Sequence, residues 1–185
     1  MTKMRVFVFL LPVLALFASN SSNAQSVGIQ WITIEEAMDA QAQEPRKIIM
    51  DVYTQWCGPC KMMMANTFTH PDVIDFINDN YYAVKFDAEG PDPVTFQSEL
   101  YENEGYREGV RGRNSPHPFS RALGVSAYPT LIFMSEKGQI IAPITGYKTP
   151  FQLEPFLTFF SEHWSPTTGQ AEWDAFKTTF ESTFD

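Results

Sequence analysis

Apolar positions along this chain follow two alternating rhythms. In "KIIMDVY" (47–53) and "YYAVKFDAE" (81–89) they run almost unbroken and favour β-branched and aromatic types, the composition of buried strands. In "WITIEEAMDAQAQ" they return at helical spacing, with Ile34, Ala37 and Met38 on one face and Thr33 and Glu36 at capping-box distance. "KMMMANTF" continues as a helix, and "THPDVIDFINDN" offers Thr69 as cap, Pro71 in the first turn and Val73, Ile74 and Ile77 as the buried stripe. "PTLIFMSEKGQIIAPITG" predicts a hairpin turning at Glu136-Lys137-Gly138. A closing helix follows in "TPFQLEPFLTFFSEHW", with Thr149 as cap and Pro155 expected to delay or kink it. Helix, strand, helix, strand, then hairpin and helix describe an α/β sandwich whose first two strands run parallel.

The N-terminus follows neither rhythm. Lys3 and Arg5 precede an apolar run from Val6 to Ala18, which closes on Ser22-Asn23-Ala24. That is the form of a secretory signal peptide, with cleavage expected near Ala24 and a periplasmic or secreted product. The run is too short for a membrane anchor and contains Pro12. Residues 25–185 then suit one domain with a sizeable core. The whole chain carries a net charge of −9, and losing the two leader cations makes it more acidic. Nucleic acid and anionic membrane surfaces are poor partners for such a chain.

Export changes the meaning of the two cysteines, Cys57 and Cys60, which stand two residues apart. The loop between them is too short to restrain the unfolded chain much, so the pair is a poor staple. Zinc needs about four ligands, and His70, His117 and His163 show no paired ligand spacing. No metal site is expected, and a redox pair is the reading that remains.

The surrounding residues sharpen it. Trp56-Cys57-Gly58-Pro59-Cys60-Lys61 resembles the active-site signature of the thioredoxin superfamily. Asp51, Lys85, Tyr128-Pro129-Thr130 and Gly146 stand where that family has its buried aspartate, a neighbouring-strand lysine, its cis-proline loop and a groove glycine. The segment 66–89 is more similar to exported thioredoxin-like proteins and to the C-terminal domain of membrane thiol reductant transporters. The resemblance spans about Trp31 to Trp164 with one interruption. It implies a thioredoxin-like sandwich, a central mixed sheet flanked by helices, with the Cys57–Cys60 disulfide as redox group and no metal or organic cofactor.

The chemistry suits the positions. Exchange needs a thiolate, and a helix N-terminus favours negative charge on Cys57. Cys60, one turn in, is expected to be more buried and to resolve the mixed disulfide. Pro59 presets the first turn, and Gly58 removes bulk beside the nucleophile. The resemblance makes Asp51 the base for Cys60; a carboxylate within "IIMDVY" is desolvated, which Lys85 offsets in part. The alternative is that Asp51 and Lys85 form a satisfied buried pair. Trp56 serves as a contact face or packs on the sheet, and Gly146 lines the groove or makes a plain turn. Tyr128-Pro129 alone is expected trans, whereas the resemblance implies a cis bond that exposes the Tyr128 backbone to substrate. Met62, Met63 and Met64 face different directions, so some fill the core.

Two segments exceed the family pattern. An insert at about 90–117 includes "VTFQSELYEN", a candidate hairpin whose Val94, Phe96, Leu100 and Tyr101 need apolar cover, and the basic "REGVRGR". It leaves the C-terminal end of a strand parallel to the one carrying the motif, so it is expected on the active-site face, as a substrate-selecting rim or a surface decoration. The extension at about 165–185 places Trp173, Phe176 and Phe180 on one helical stripe, which packs on the body or meets a partner.

The function expected is an exported thiol–disulfide oxidoreductase that reduces protein or peptide disulfides and draws electrons from a membrane thiol donor. A disulfide oxidase or isomerase is the alternative within the same chemistry, against which the Gly-Pro dipeptide resembles the reducing members. A partner-binding module using insert and tail is the alternative outside it.

Overall fold

The computed structural model describes residues 28–185, so the signal peptide expected at 1–24 lies outside the described residues. Five strands form one sheet: β1 (Trp31–Ile32), β2 (Lys47–Tyr53), β3 (Tyr81–Asp87), β6 (Thr130–Met134) and β7 (Ile140–Thr145), in the order β1-β3-β2-β6-β7. β1, β3 and β2 are parallel; β6 runs antiparallel to β2, and β7 antiparallel to β6. β2 therefore lies at the centre, which is why its apolar run is buried from Lys47 to Val52.

Strand alternation divides the core between the two faces of the sheet. Ile48, Met50, Val52 and Val84 meet Ile34 and Ala37 of α1 (Ile34–Gln43) and Phe119 of α4 (Pro118–Ala122). Ile49, Ala83 and Leu131 meet Met63, then Val73 and Ile77 of α3 (Pro71–Asn80), and Leu153 and Leu157 of α5 (Pro150–Thr158). Asp51 and Lys85 occupy the second face, in phase with Ile49 and Ala83. Among the described residues no helix is long and apolar enough to cross a membrane.

Local signals act as the sequence predicts at several ends. Thr33 and Glu36 form a reciprocal capping box on α1, as do Thr149 and Gln152 on α5. α3 differs: Pro71 occupies the first turn, His70 is the N-cap, and Thr69 is not. The Thr69 hydroxyl instead donates to the Ala65 carbonyl, 2.8 Å away, at the end of the π-helical turn Met63–Thr67. Pro155 does not delay α5, which starts at Pro150 and passes into a second π-helical turn, Phe159–His163. Of the methionine triplet, Met63 is fully buried, Met62 exposed and Met64 intermediate.

The insert contains the expected hairpin, β4 (Val94–Phe96) and β5 (Glu99–Tyr101), turning at Gln97 and Ser98 with φ of 51° and 68°. Leu100 is a correction. It is 58% exposed because it pairs with Thr95 on the face opposite Val94, Phe96 and Tyr101. Asn103 closes the base of the insert, donating to the carbonyls of both Gly90 and Ser115 at 3.0 Å.

The extension folds back on the body. Trp173 of α6 (Gln170–Thr179) stacks on Phe156 at 4.8 Å, and Phe176 meets Phe159. The last residues continue to the buried Glu154, whose carboxylate accepts from Ser182 Oγ, from Thr183 N and Oγ1 at 2.6 and 2.8 Å, and from Phe184 N at 3.2 Å.

Candidate functional site

The cysteine motif stands where β2 gives way to α2 (Gly58–Met62). The Cys57 N–H donates to the Thr54 carbonyl at 3.2 Å, turning the chain, and Cys57 becomes the helix N-cap with extended backbone. Its Sγ accepts the Cys60 N–H at 3.1 Å, and the two sulfurs are joined in a disulfide. Pro59 lies in the first turn. Gly58 is exposed, and a Cβ there would meet no atom within 4 Å, so space beside Cys57 is open. The cysteines do not differ in burial as expected: Cys57 is 2% exposed and Cys60 3%. Position on the helix therefore distinguishes them, not exposure.

Behind the motif, Asp51 is buried and its Oδ1 has no hydrogen-bond partner. Burial pushes its carboxyl up to about 6, and the positive charge of Lys85 opposes part of that rise. Lys85 is the register partner of Asp51, yet its Nζ sits 2.7 Å from Met64 Sδ and 4.8 Å from the Tyr53 ring centroid. Burial holds the ammonium below its ordinary range, with Asp51 countering. A cavity of about 370 Å³ opens here, lined by Cys60, Met64, Tyr53 and Lys85 among others, and it reaches Cys60 but not Cys57. Cys60 thus has room for proton exchange on the side where Lys85 lies.

In front, the structure gathers Trp56, Tyr128, Pro129 and Gly146. Tyr128-Pro129 is cis, in line with the resemblance and against the expectation for a bare X-Pro bond. Tyr128 meets the Trp56 indole edge-on, with centroids 6.1 Å apart, which brings the proline loop to the cysteine loop. Gly146 donates its N–H to the Pro129 carbonyl at 2.8 Å with φ +88°, a conformation that favours glycine, and so belongs to this loop cluster.

Three residues of this neighbourhood escaped sequence reasoning. Glu89 Oε2 accepts the Trp56 Nε1–H at 2.8 Å and the Asn114 N–H at 2.7 Å. The Arg113 guanidinium lies 4.5 Å from the Trp56 ring centroid. No spacing rule links residues this far apart in the chain, and the "REGVRGR" basic run was the only signal available. Among the described residues no cluster of three or more His, Cys, Asp or Glu could hold a metal ion.

Comparison with known proteins agrees with this geometry. The family model of the thioredoxin-like domain matches residues 34–161. No curated protein matches the chain. A thioredoxin-fold protein from Helicobacter pylori is similar with a TM-score of 0.57 at 12% identity, over 84% of this chain and 91% of that one. A thioredoxin from Thermus thermophilus gives 0.51 at 16% identity, over 70% and 85%. A protein from Bacteroides thetaiotaomicron gives 0.51 at 23% identity, over 78% and 100%. At these identities the likeness is one of fold.

Proposed function

Because the chain belongs to the thioredoxin-like domain family, we propose that it is an exported thiol–disulfide oxidoreductase that reduces disulfides in proteins or peptides. Its fold is that of a thioredoxin-like oxidoreductase carrying a CxxC disulfide. The observation that carries the reading is the placement of Cys57 at the N-cap of α2, with the Cys60 N–H aimed at its sulfur. The same N–H and the adjoining helix N-terminus stabilise a thiolate once the disulfide is opened.

In the reduced protein the Cys57 thiolate attacks one sulfur of a substrate disulfide. That S–S bond breaks, a mixed disulfide forms, and the departing substrate sulfur takes up a proton. Cys60 then loses its proton to Asp51 and attacks Cys57 Sγ. The second substrate sulfur leaves and takes up the proton that Asp51 received, and the protein is left as the Cys57–Cys60 disulfide. Two electrons and two protons have passed to the substrate. Asp51 is suited to the transfer because its raised affinity for protons puts it near working pH. A membrane thiol donor returns two electrons for the next cycle, since an exported compartment lacks a reduced glutathione buffer. No metal or organic cofactor takes part in this scheme.

The test of direction is the reduction potential of the Cys57–Cys60 couple, equilibrated against glutathione or dithiothreitol. A value near the roughly −270 mV of thioredoxin supports a reductant. A value near the roughly −120 mV of a strong oxidase reverses the electron flow. The leader of residues 1–24 supports export, and sequencing the N-terminus of protein recovered outside the cytoplasm tests it.

A further inference from the structure

We infer that the insert 90–117 is part of the exchange site, with Arg113 as a positioning residue that, together with Glu89, fixes the Trp56 indole and so shapes the surface a protein disulfide meets. The inference rests on the oxidoreductase reading above and says which part of the chain selects protein over small-molecule disulfides.

The contacts on Trp56 come from separate parts of the chain. Tyr128 of the proline loop meets its edge. Glu89, just beyond β3, accepts its N–H, and the same carboxylate oxygen accepts the backbone N–H of Asn114 in the insert. One oxygen therefore ties the residue before Cys57 to the insert. Arg113, the neighbour of Asn114, lays its guanidinium over the indole face.

The insert is built to hold that arginine. The Asn114 side chain accepts the Arg107 N–H at 3.0 Å and donates to the Arg107 carbonyl at 2.8 Å, closing the loop 107–114 at its base. Gly109 and Gly112 turn within the loop at φ of 75° and 93°. A surface decoration would need no attachment to the indole beside the nucleophile.

Between this loop and the cysteine helix lies a cavity of about 670 Å³, lined by Trp56, Lys61, Asp87, Tyr106, Val110 and Asn114 among others. Trp56 and Lys61 are the residues directly before Cys57 and directly after Cys60, so the cavity borders the motif, with neither cysteine in its lining. Its size is in the range that holds a ligand of several side chains. A polypeptide extending from its disulfide can use such a wall, whereas a small aromatic disulfide engages little beyond the sulfur.

With protein first reduced by dithiothreitol and freed of the excess, the experiment compares the saturating single-turnover rate (kcat) and half-saturating concentration (KM) for a disulfide-bonded protein, insulin, with those for a small disulfide, 5,5′-dithiobis(2-nitrobenzoate). The variants are Arg113→Ala, Arg113→Lys, Glu89→Ala and, as a control cation of the same loop, Arg111→Ala. Arg113→Ala is expected to raise KM for insulin about 2- to 5-fold, the scale of one exposed cation–π contact, with kcat far less affected. The ratio of kcat/KM for insulin to that for the small disulfide falls accordingly. Arg113→Lys keeps a cation over the ring and restores most of that ratio, whereas Arg111→Ala matches the wild type. Emission from Trp56, isolated by difference against Trp56→Phe, shifts in Arg113→Ala and Glu89→Ala. An unchanged ratio in Arg113→Ala, or equal losses on both disulfides, overturns the inference and leaves the oxidoreductase reading standing. Wild-type protein inert toward both disulfides overturns the reading itself, and the inference with it.

Discussion

Asp51 and Lys85 are register partners on adjacent parallel strands, yet they form no ion pair: the lysine Nζ sits 2.7 Å from Met64 Sδ, and one oxygen of the aspartate has no hydrogen-bond partner. The carboxylate thus feels the positive charge without being neutralised by it. Burial dominates, and the carboxyl rises from 3.8 to about 6.

The sign of the resulting pH dependence is fixed by that direction. The folded state binds the Asp51 proton more tightly than the unfolded chain, so stability falls as pH rises from about 4 to about 6 and stays low above that. Asp51→Asn is expected to stabilise by about 2–3 kcal/mol at pH 7.5 and by about 1 kcal/mol or less at pH 4.5. Urea unfolding at both pH values measures it. Equal gains at the two pH values would show that the carboxyl titrates normally. Lys85→Met removes the opposing charge, so the acid limb of the exchange rate profile should move above pH 6.

Equal burial of the two sulfurs leaves their roles to chemistry. Cys60→Ser should accumulate a mixed disulfide through Cys57, visible by intact mass spectrometry, with turnover reduced on the order of 10³-fold or more. Cys57→Ser should capture nothing. The reverse pattern would exchange nucleophile and resolving residue.

At the C-terminus, the donors on Glu154 come from residues 182–184, so a chain ending at Glu181 strands a buried carboxylate. Truncation is expected to cost about 2–4 kcal/mol. The same truncation in a Glu154→Leu background should cost much less, a double-mutant comparison readable by thermal or urea unfolding. Additive losses would mean that the tail is held by Phe184 packing alone.

The hairpin turn holds Ser98 at φ 68°, where glycine is less strained. Ser98→Gly should stabilise by about 0.5–1 kcal/mol in urea unfolding. Gln97 is best left in place, since its side chain donates to the Gly138 carbonyl at 3.1 Å.

What the sequence determined by itself is whatever is encoded within about ten residues. The apolar run of β2, the capping box at Thr33, the cap at Thr149, the turn at Gly138 and the strand-to-helix context of Cys57 depend on neighbours in the chain, and each is legible there. Thr69 shows the limit of such reading, because its hydroxyl had a competing acceptor in the Ala65 carbonyl that only the π-helical turn presents. Leu100 failed for a smaller reason, since strand register decides which side chains share a face. Tertiary structure alone decided that Lys85 turns to Met64, that Glu89 joins Trp56 to Asn114, and that residues 182–184 close over Glu154. These contacts join residues 21 to 33 positions apart, and many other side chains of the same chemistry would serve them equally well. Local patterning constrains backbone conformation, whereas such pairings follow only once the sheet and its loops have brought distant segments within reach.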